Sequence, residues 1–252
     1  MTQPDNPSNV PDIIYEDNHI LVAVKKPGVL SQSTGDNTPD MLTLLKTYIQ
    51  KRYEKPGKVF LGLVHRLDQP VGGIMVFART SKAASRLSEQ IRNRQLERYY
   101  LAVVEGSLTP ARAILSDYLE KQPSGHVAVQ SDGTGKHALL AYQTLQIASD
   151  ESKTLVCVRL GTGRPHQIRV QFASRHHPII GDRRYGPRLY VQSANVPALY
   201  ACGLTLIHPT RKEQLTFFSQ PLKILPWSQF SLPDASTFQM VIQSLLNQDL
   251  CV

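Results

Sequence analysis

The stretch "GLVHRLDQPVGGIMVFART" (62–80) places His65, Arg66 and Asp68 within four positions, between an apolar run and a glycine pair. An ionised aspartate there can act as a nucleophile or as a general base. It can equally be a turn residue between two strands, since Asp ahead of Pro and Gly pairs is common turn chemistry. A second cluster, "GTGRPHQIR" (161–169), carries Arg164, His166 and Arg169 at a strand-to-helix turn. Its arginines can supply the countercharge that a buried carboxylate needs. A third stretch, "ERYYLAVVEG" (97–106), sets Tyr99 beside Tyr100. On a strand they point to opposite faces, so only one of them can serve a given site.

Other readings of these residues are weaker. "VAVK" (22–25) followed by "HRLD" (65–68) superficially resembles the strand lysine and catalytic loop of protein kinases. No glycine-rich loop precedes Lys25 and no DFG follows, so Lys25 and Lys26 read as ordinary solvated lysines beside the Pro27-Gly28 turn. His166, His176 and His177 read as structural or partner-facing rather than metal ligands, because no third metal ligand has suitable spacing. Cys157, Cys202 and Cys251 are widely spaced, which supports neither a disulfide framework nor a structural zinc site.

The elements that must position these groups follow from hydrophobic periodicity. "IIYEDNHILVAVKKPG" reads as two short strands around an Asp17-Asn18 turn. "PDMLTLLKTYIQKRY" (39–53) carries Leu42, Leu45 and Ile49 at helical spacing. "FLGLVHRLD" and "GIMVFAR" read as strands flanking the Asp68 turn, which puts Asp68 at a strand end and Arg66 on the same face. Ser81 can cap the helix "KAASRLSEQIRNR", and "PHQIRVQFASR" reads as a helix with Pro165 in its first turn. "RYYLAVVEG", "HALLAYQTLQIAS", "TLVCVRLG", "LYACGLTLIHP" and "EQLTFFSQ" add strands, and a last helix is expected over 236–248. The stretch 120–137 reads as an insertion rich in loops and hairpins. Strands that follow one another with few intervening helices indicate an α+β class, a large mainly antiparallel or mixed sheet flanked by helices. Residues 1–11 are expected to form a disordered tail and 12–252 one domain.

The 252 residues suffice for a full core. Against 20 Asp+Glu stand 28 Lys+Arg, a net +8 that favours a polyanionic partner. The polar, proline-rich start and the lack of a long apolar run argue against secretion and membrane spanning, so a cytoplasmic protein without a membrane partner is expected.

Three blocks carry a resemblance to a known family. "HRLDQPVGGIMVFARTSKAASRLSEQ", "ERYYLAVVEG" and "LGTGRPHQIRVQFASRHHPIIGDRRYG" resemble the three signature blocks of the RluA-type pseudouridine synthases, in order, over residues 12 to 220 or so. The chain departs from the usual pattern at Pro70-Val71-Gly72-Gly73 and at Gln171, positions that bear on substrate preference more than on chemistry.

The resemblance implies isomerisation of uridine to pseudouridine in RNA, with 12–252 as a single catalytic domain and no separate RNA-binding domain ahead of it. The N1–C1′ bond breaks, the uracil turns while bound, and C5 joins C1′, with nothing oxidised or added. No cofactor and no metal are therefore expected. By the same resemblance Asp68 matches the catalytic aspartate, which attacks C1′ or takes a proton from C2′, and Arg169 matches its basic partner. Tyr100 matches the tyrosine that stacks on the target base, and Arg66 matches the arginine that fills the stack vacated by the extruded nucleotide. Arg164 is assigned to a phosphate, with His65 and His166 among the RNA-binding residues. The expected partner is structured RNA, either rRNA or tRNA, with no DNA, and the chain is expected to be a monomer. The rival readings are a catalytically silent RNA-binding or assembly protein on the same fold, and a metal-dependent nuclease.

Overall fold

The computed structural model describes residues 11–35, 38–187, 196–248 and 250. Apart from Pro11, the tail expected over 1–11 lies outside the described residues. The chain divides into two compact units, Met1–Leu96 with Thr205–Phe217, and Glu97–Leu204 with Phe218–Val252. The class is the α+β expected, with large, mainly antiparallel sheet structure flanked by helices.

In the first unit, β1 (Asp12–Glu16) and β2 (Ile20–Lys25) form an antiparallel hairpin. The Asp17 carboxylate makes the turn by accepting the N–H groups of His19 and Ile20 at 2.7 and 2.8 Å. Strand β2 pairs with β4 (Gly72–Ala78), both heavily buried, and Lys25 stands opposite Gly73. Between them come α1 (Met41–Arg52) and β3 (Gly62–Leu63), which pairs with β4. Helix α1 buries Met41, Leu45 and Ile49, one four-residue stripe with Leu42 at its edge, and its N-cap is Asp40, whose side chain accepts from Thr43 N–H. Helix α2 (Ser81–Arg92) is capped one residue earlier than expected: Thr80 accepts from Ala83 N–H, and Ser81 is already helical. Buried Gln90 on this helix donates to Ile207 O at 2.7 Å and accepts from Ile207 N–H at 2.9 Å, replacing a backbone partner with a side-chain amide.

In the second unit the strand order is β10-β5-β9-β8-β6-β7. These are β5 (Glu97–Glu105), β6 (Arg112–Lys121), β7 (Val127–Gln130), β8 (Lys136–Ile147), β9 (Lys153–Leu160) and the part of β10 (Leu199–Ile207) up to Leu204. β11 (Gln214–Phe218), which pairs with β10, belongs up to Phe217 to the first unit. β6 went unrecognised in the sequence because only Leu115 and Leu119 of "RAILSDYLEK" are fully buried, among charged neighbours. Helix α3 (Gln167–Ala173) begins after Pro165, so the proline precedes the cap residue His166 and is not in the first turn. Helix α4 (Ala235–Leu246) turns Phe238, Val241, Ile242 and Leu245 inward. Phe238 meets Tyr99 edge-on, and Gly203 makes room for it, since a Cβ there would stand 2.2 Å from Phe238 Cζ.

Among the described residues no helix is long and apolar enough to cross a membrane.

Candidate active site

The apolar run ahead of Asp68 does not form the expected long strand. β3 stops at Leu63, and residues 64–71 run as a loop into β4. Asp68 therefore sits in a turn, its carbonyl accepting Val71 N–H at 3.0 Å, and the period-of-two argument for Arg66 and Asp68 falls away. Pro70 ends any ladder at this point, because it has no N–H to donate. Arg66 is exposed, Leu67 buried and Asp68 half-buried.

The loop is held through its backbone. Buried Ser31 donates its hydroxyl to Leu67 O at 2.9 Å and accepts Leu67 N–H at 3.1 Å. Gly28 N–H donates to Gln69 O at 2.9 Å. The loop enters β4 at Gly72, where a Cβ would come within 3.0 Å of Pro27 Cδ and 3.2 Å of Lys25 O. His65 accepts Val76 N–H at Nε2 at 3.0 Å, which ties its ring to β4.

Lys25 requires a correction. It is not a solvated lysine but 0% exposed, with Nζ donating to Val29 O at 2.6 Å, Gln69 O at 2.9 Å and Lys26 O at 3.3 Å. Burial pulls its pKa down to about 7, and the charge of Asp68 acts in the opposite direction. Lys26 is exposed as expected. Local pattern misplaced Lys25 because one of its acceptors, Gln69, is distant in sequence, and a buried ammonium is tolerated only where such acceptors converge.

The second unit holds Tyr100, Arg164, His166 and Arg169. Tyr99 and Tyr100, on adjacent positions of β5, are both buried; Tyr99 packs on Phe238, and the alternation of the strand turns Tyr100 to the other face. Arg164 donates from Nε to His137 O at 2.8 Å. His166 is in the left-handed region at φ 52°, and its Nδ1 lies 2.6 Å from Tyr185 Oη. That hydroxyl also accepts Val127 N–H at 3.1 Å.

Arg169 is buried and pairs with fully buried Asp182, Nε to Oδ2 at 2.6 Å and Nη2 to Oδ1 at 2.8 Å. The ring of Tyr185 lies 5.2 Å from its guanidinium carbon. Asp182 Oδ1 also accepts the N–H groups of Arg184 and Tyr185 at 3.0 and 3.3 Å. Sequence reasoning used "HPIIGDRRYG" only for recognition and assigned Asp182 and Tyr185 no role. The signal available was that an arginine inside an otherwise apolar helix needs a carboxylate from elsewhere. Gln171, one of the departures noted above, is buried and donates from Nε2 to Asp117 Oδ2 at 2.7 Å, on the side chain that also pairs with Arg175. Among the described residues no group of three or more His, Cys, Asp or Glu side chains is placed to hold a metal ion.

Comparison with known proteins gives these residues a context. The family model described as RNA pseudouridylate synthase matches residues 19–174, which include Asp68, Tyr100 and Arg169. A ribosomal large subunit pseudouridine synthase D of Xylella fastidiosa is 35% identical over 221 residues, covering 87% of this chain and 65% of that protein. An uncharacterized RNA pseudouridine synthase of Aquifex aeolicus is 32% identical over 248 residues, covering 93% of this chain and 73% of that one. The chain thus spans about two thirds of the length of these relatives. In fold it is similar to human RNA pseudouridylate synthase domain containing 1, with a TM-score of 0.72 at 22% identity over 97% of this chain and 98% of the other. With the family model matched over more than half of its length, the chain belongs to the RNA pseudouridylate synthase family.

Proposed function

We infer that this protein isomerises uridine to pseudouridine in structured RNA, with Asp68 as the catalytic carboxylate. The observation that carries the reading is the setting of Asp68. It lies on a loop fastened at Leu67 by Ser31 and at Gln69 by Lys25 and Gly28, with Arg66 exposed two residues before it. A carboxylate that must meet one ribose carbon gains from a loop whose backbone is already fixed, because little order remains to be created when substrate binds. Asp68 acts on C1′ as a nucleophile or on the C2′ proton as a base. Tyr100 and Arg169 carry the roles that the family resemblance gives them, the stacking ring and the basic partner of the aspartate.

Arg66 stands in for the extruded nucleotide, and Arg164 contacts a phosphate of the backbone, with His65 and His166 close by in sequence. The net charge of +8 supports a polyanionic partner. The relatives' names favour ribosomal RNA as the substrate class, with transfer RNA as the alternative, and the protein works in the cytoplasm as a monomer. The bonds exchanged balance without a redox partner, so activity survives a chelator once the RNA is folded.

The test is a transcriptome-wide pseudouridine map of cells with and without the gene, followed by conversion of the affected RNA by purified protein in EDTA. A site lost on deletion and restored in vitro supports the reading and names the RNA. No lost site, with RNA bound but never converted, replaces it with a silent RNA-binding protein.

A further inference from the structure

Lys25 is the buried cation that the chemistry assigned above leaves unused. Its ammonium has three protons and three carbonyl acceptors: Lys26 O and Val29 O on the turn after β2, and Gln69 O on the loop residue next to Asp68. A neutral amine has only two protons and would turn a lone pair toward one of these oxygens, so the geometry suits the charged form. Opposite Lys25 on β4 is Gly73, which brings no side chain, and the adjoining Lys26 points to solvent. The carboxylate whose charge acts on Lys25 is that of Asp68.

A mechanical clamp alone would not require a cation. Ser31 already fastens the neighbouring Leu67 with a neutral hydroxyl, whereas burying an ammonium costs several-fold more than burying a hydroxyl. What the lysine adds is a positive charge beneath the catalytic loop, in surroundings of low polarity where such a charge acts strongly.

We propose that Lys25 is a positioning residue for the reaction: its ammonium ties the Gln69 carbonyl to the Pro27-Gly28 turn and directs its charge at Asp68, holding the carboxylate oriented for attack on the ribose. This rests on the reading of Asp68 as the catalytic carboxylate. It distinguishes Lys25 from Ser31, which holds the same loop without charge.

The experiment compares Lys25→Met, Lys25→Arg and Ser31→Ala in single-turnover conversion of the RNA across a range of pH. Folding is checked by circular dichroism and RNA affinity by filter binding. Lys25→Met removes the charge at similar volume, so the rate should fall by about a hundredfold while affinity changes little, as when one preorganised charge-stabilising donor is lost. The acid limb of its rate profile should move to higher pH, the direction expected when a cation beside the reacting carboxylate is removed. Lys25→Arg should keep the acid limb in place, and Ser31→Ala should lower the rate without moving it. A folded Lys25→Met protein whose acid limb stays with that of Ser31→Ala overturns the proposal.

A second measurement is independent of activity and of the fate of Lys25→Met. The titration of Lys25 is followed by NMR in protein carrying 13C-labelled lysine, its signal assigned by its disappearance in Lys25→Arg. Asp68→Asn should make Lys25 lose its proton at lower pH than in the wild type, and an unchanged titration overturns the coupling. An active Asp68→Asn enzyme would instead refute the catalytic reading of Asp68 while leaving the Lys25 titration interpretable, so the two failures are distinguishable.

Discussion

Arg169 and Asp182 form a fork-to-fork pair inside the second unit, two parallel N–H to O bonds of 2.6 and 2.8 Å between side chains that are 7% and 0% exposed. Asp182 also gathers two backbone N–H groups, which fix the carboxylate against the guanidinium. Asp182→Asn should therefore destabilise the protein by about 3–5 kcal/mol, the usual cost of leaving one buried charge unpaired. Arg169→Met combined with Asp182→Leu should recover part of that loss, since it removes the unpaired buried charge but leaves the N–H groups of Arg184 and Tyr185 without their acceptor. Urea unfolding measures both. A single variant as stable as wild type would show that the pair contributes little to the fold.

Asp68→Asn should abolish pseudouridine formation while folding and RNA affinity stay near wild type. The amide keeps the size of the side chain but cannot attack carbon or accept a ribose proton. Single-turnover conversion with radiolabelled RNA decides it: turnover by the well-folded variant would falsify the assignment.

Tyr99 and Tyr100 should fail in different ways. Tyr99 is packed edge-on against Phe238 at 5.7 Å, so Tyr99→Ala should cost about 3–5 kcal/mol of stability, as large-to-small changes in a core do. Tyr100→Phe keeps the ring and should reduce turnover more than binding, while Tyr99→Phe stays mild in both. If Tyr99→Phe is the change that stops catalysis, the roles of the two tyrosines are exchanged.

Arg66 is exposed beside the pinned aspartate, as suits a group that enters the RNA stack. Arg66→Met should slow conversion of a uridine in a well-stacked stem-loop and recover on a mismatched loop where the base is already unstacked. Asp68→Asn should gain nothing from the loosened substrate. Equal recovery of both variants would remove Arg66 from the flipping step.

The Asp17 turn should govern part of the acid stability. Burial pushes the Asp17 carboxyl upward, but the N–H groups of Ile20 and His19 and the side chains of Tyr15 and His208 outweigh it and bring the pKa to about 2, below the ordinary 3.8. A carboxylate depressed on folding contributes its stability fully above pH 4 and loses it as pH falls through about 2, a term of about 2 kcal/mol by linkage. Asp17→Asn should lower stability at neutral pH by that order and flatten the acid side of the stability curve between pH 4 and 2. An acid limb of the same shape in both proteins would assign the loss to other carboxylates.

Sequence by itself determined the α+β class, most of the strands, all four helices to within a few residues, and the family, because these depend on local period, turn chemistry and short ordered blocks. It also separated Tyr99 from Tyr100, since alternation along a strand is a local property. Only the tertiary structure decided the surroundings of the charged groups. Lys25 and Lys26 are adjacent and alike in sequence, yet one is fully buried and the other faces water. The difference is made in part by Gln69, 44 residues away, whose carbonyl accepts from the buried ammonium. Arg169 was legible as a countercharge for a carboxylate, but its pairing with Asp182 formed only when the chain after α3 folded back. β6 escaped notice and β3 shrank to two residues because strand pairing depends on what lies alongside, which no window of a single chain contains. Burial and charge pairing are properties of groups that converge from distant positions, and only the folded chain brings those positions together.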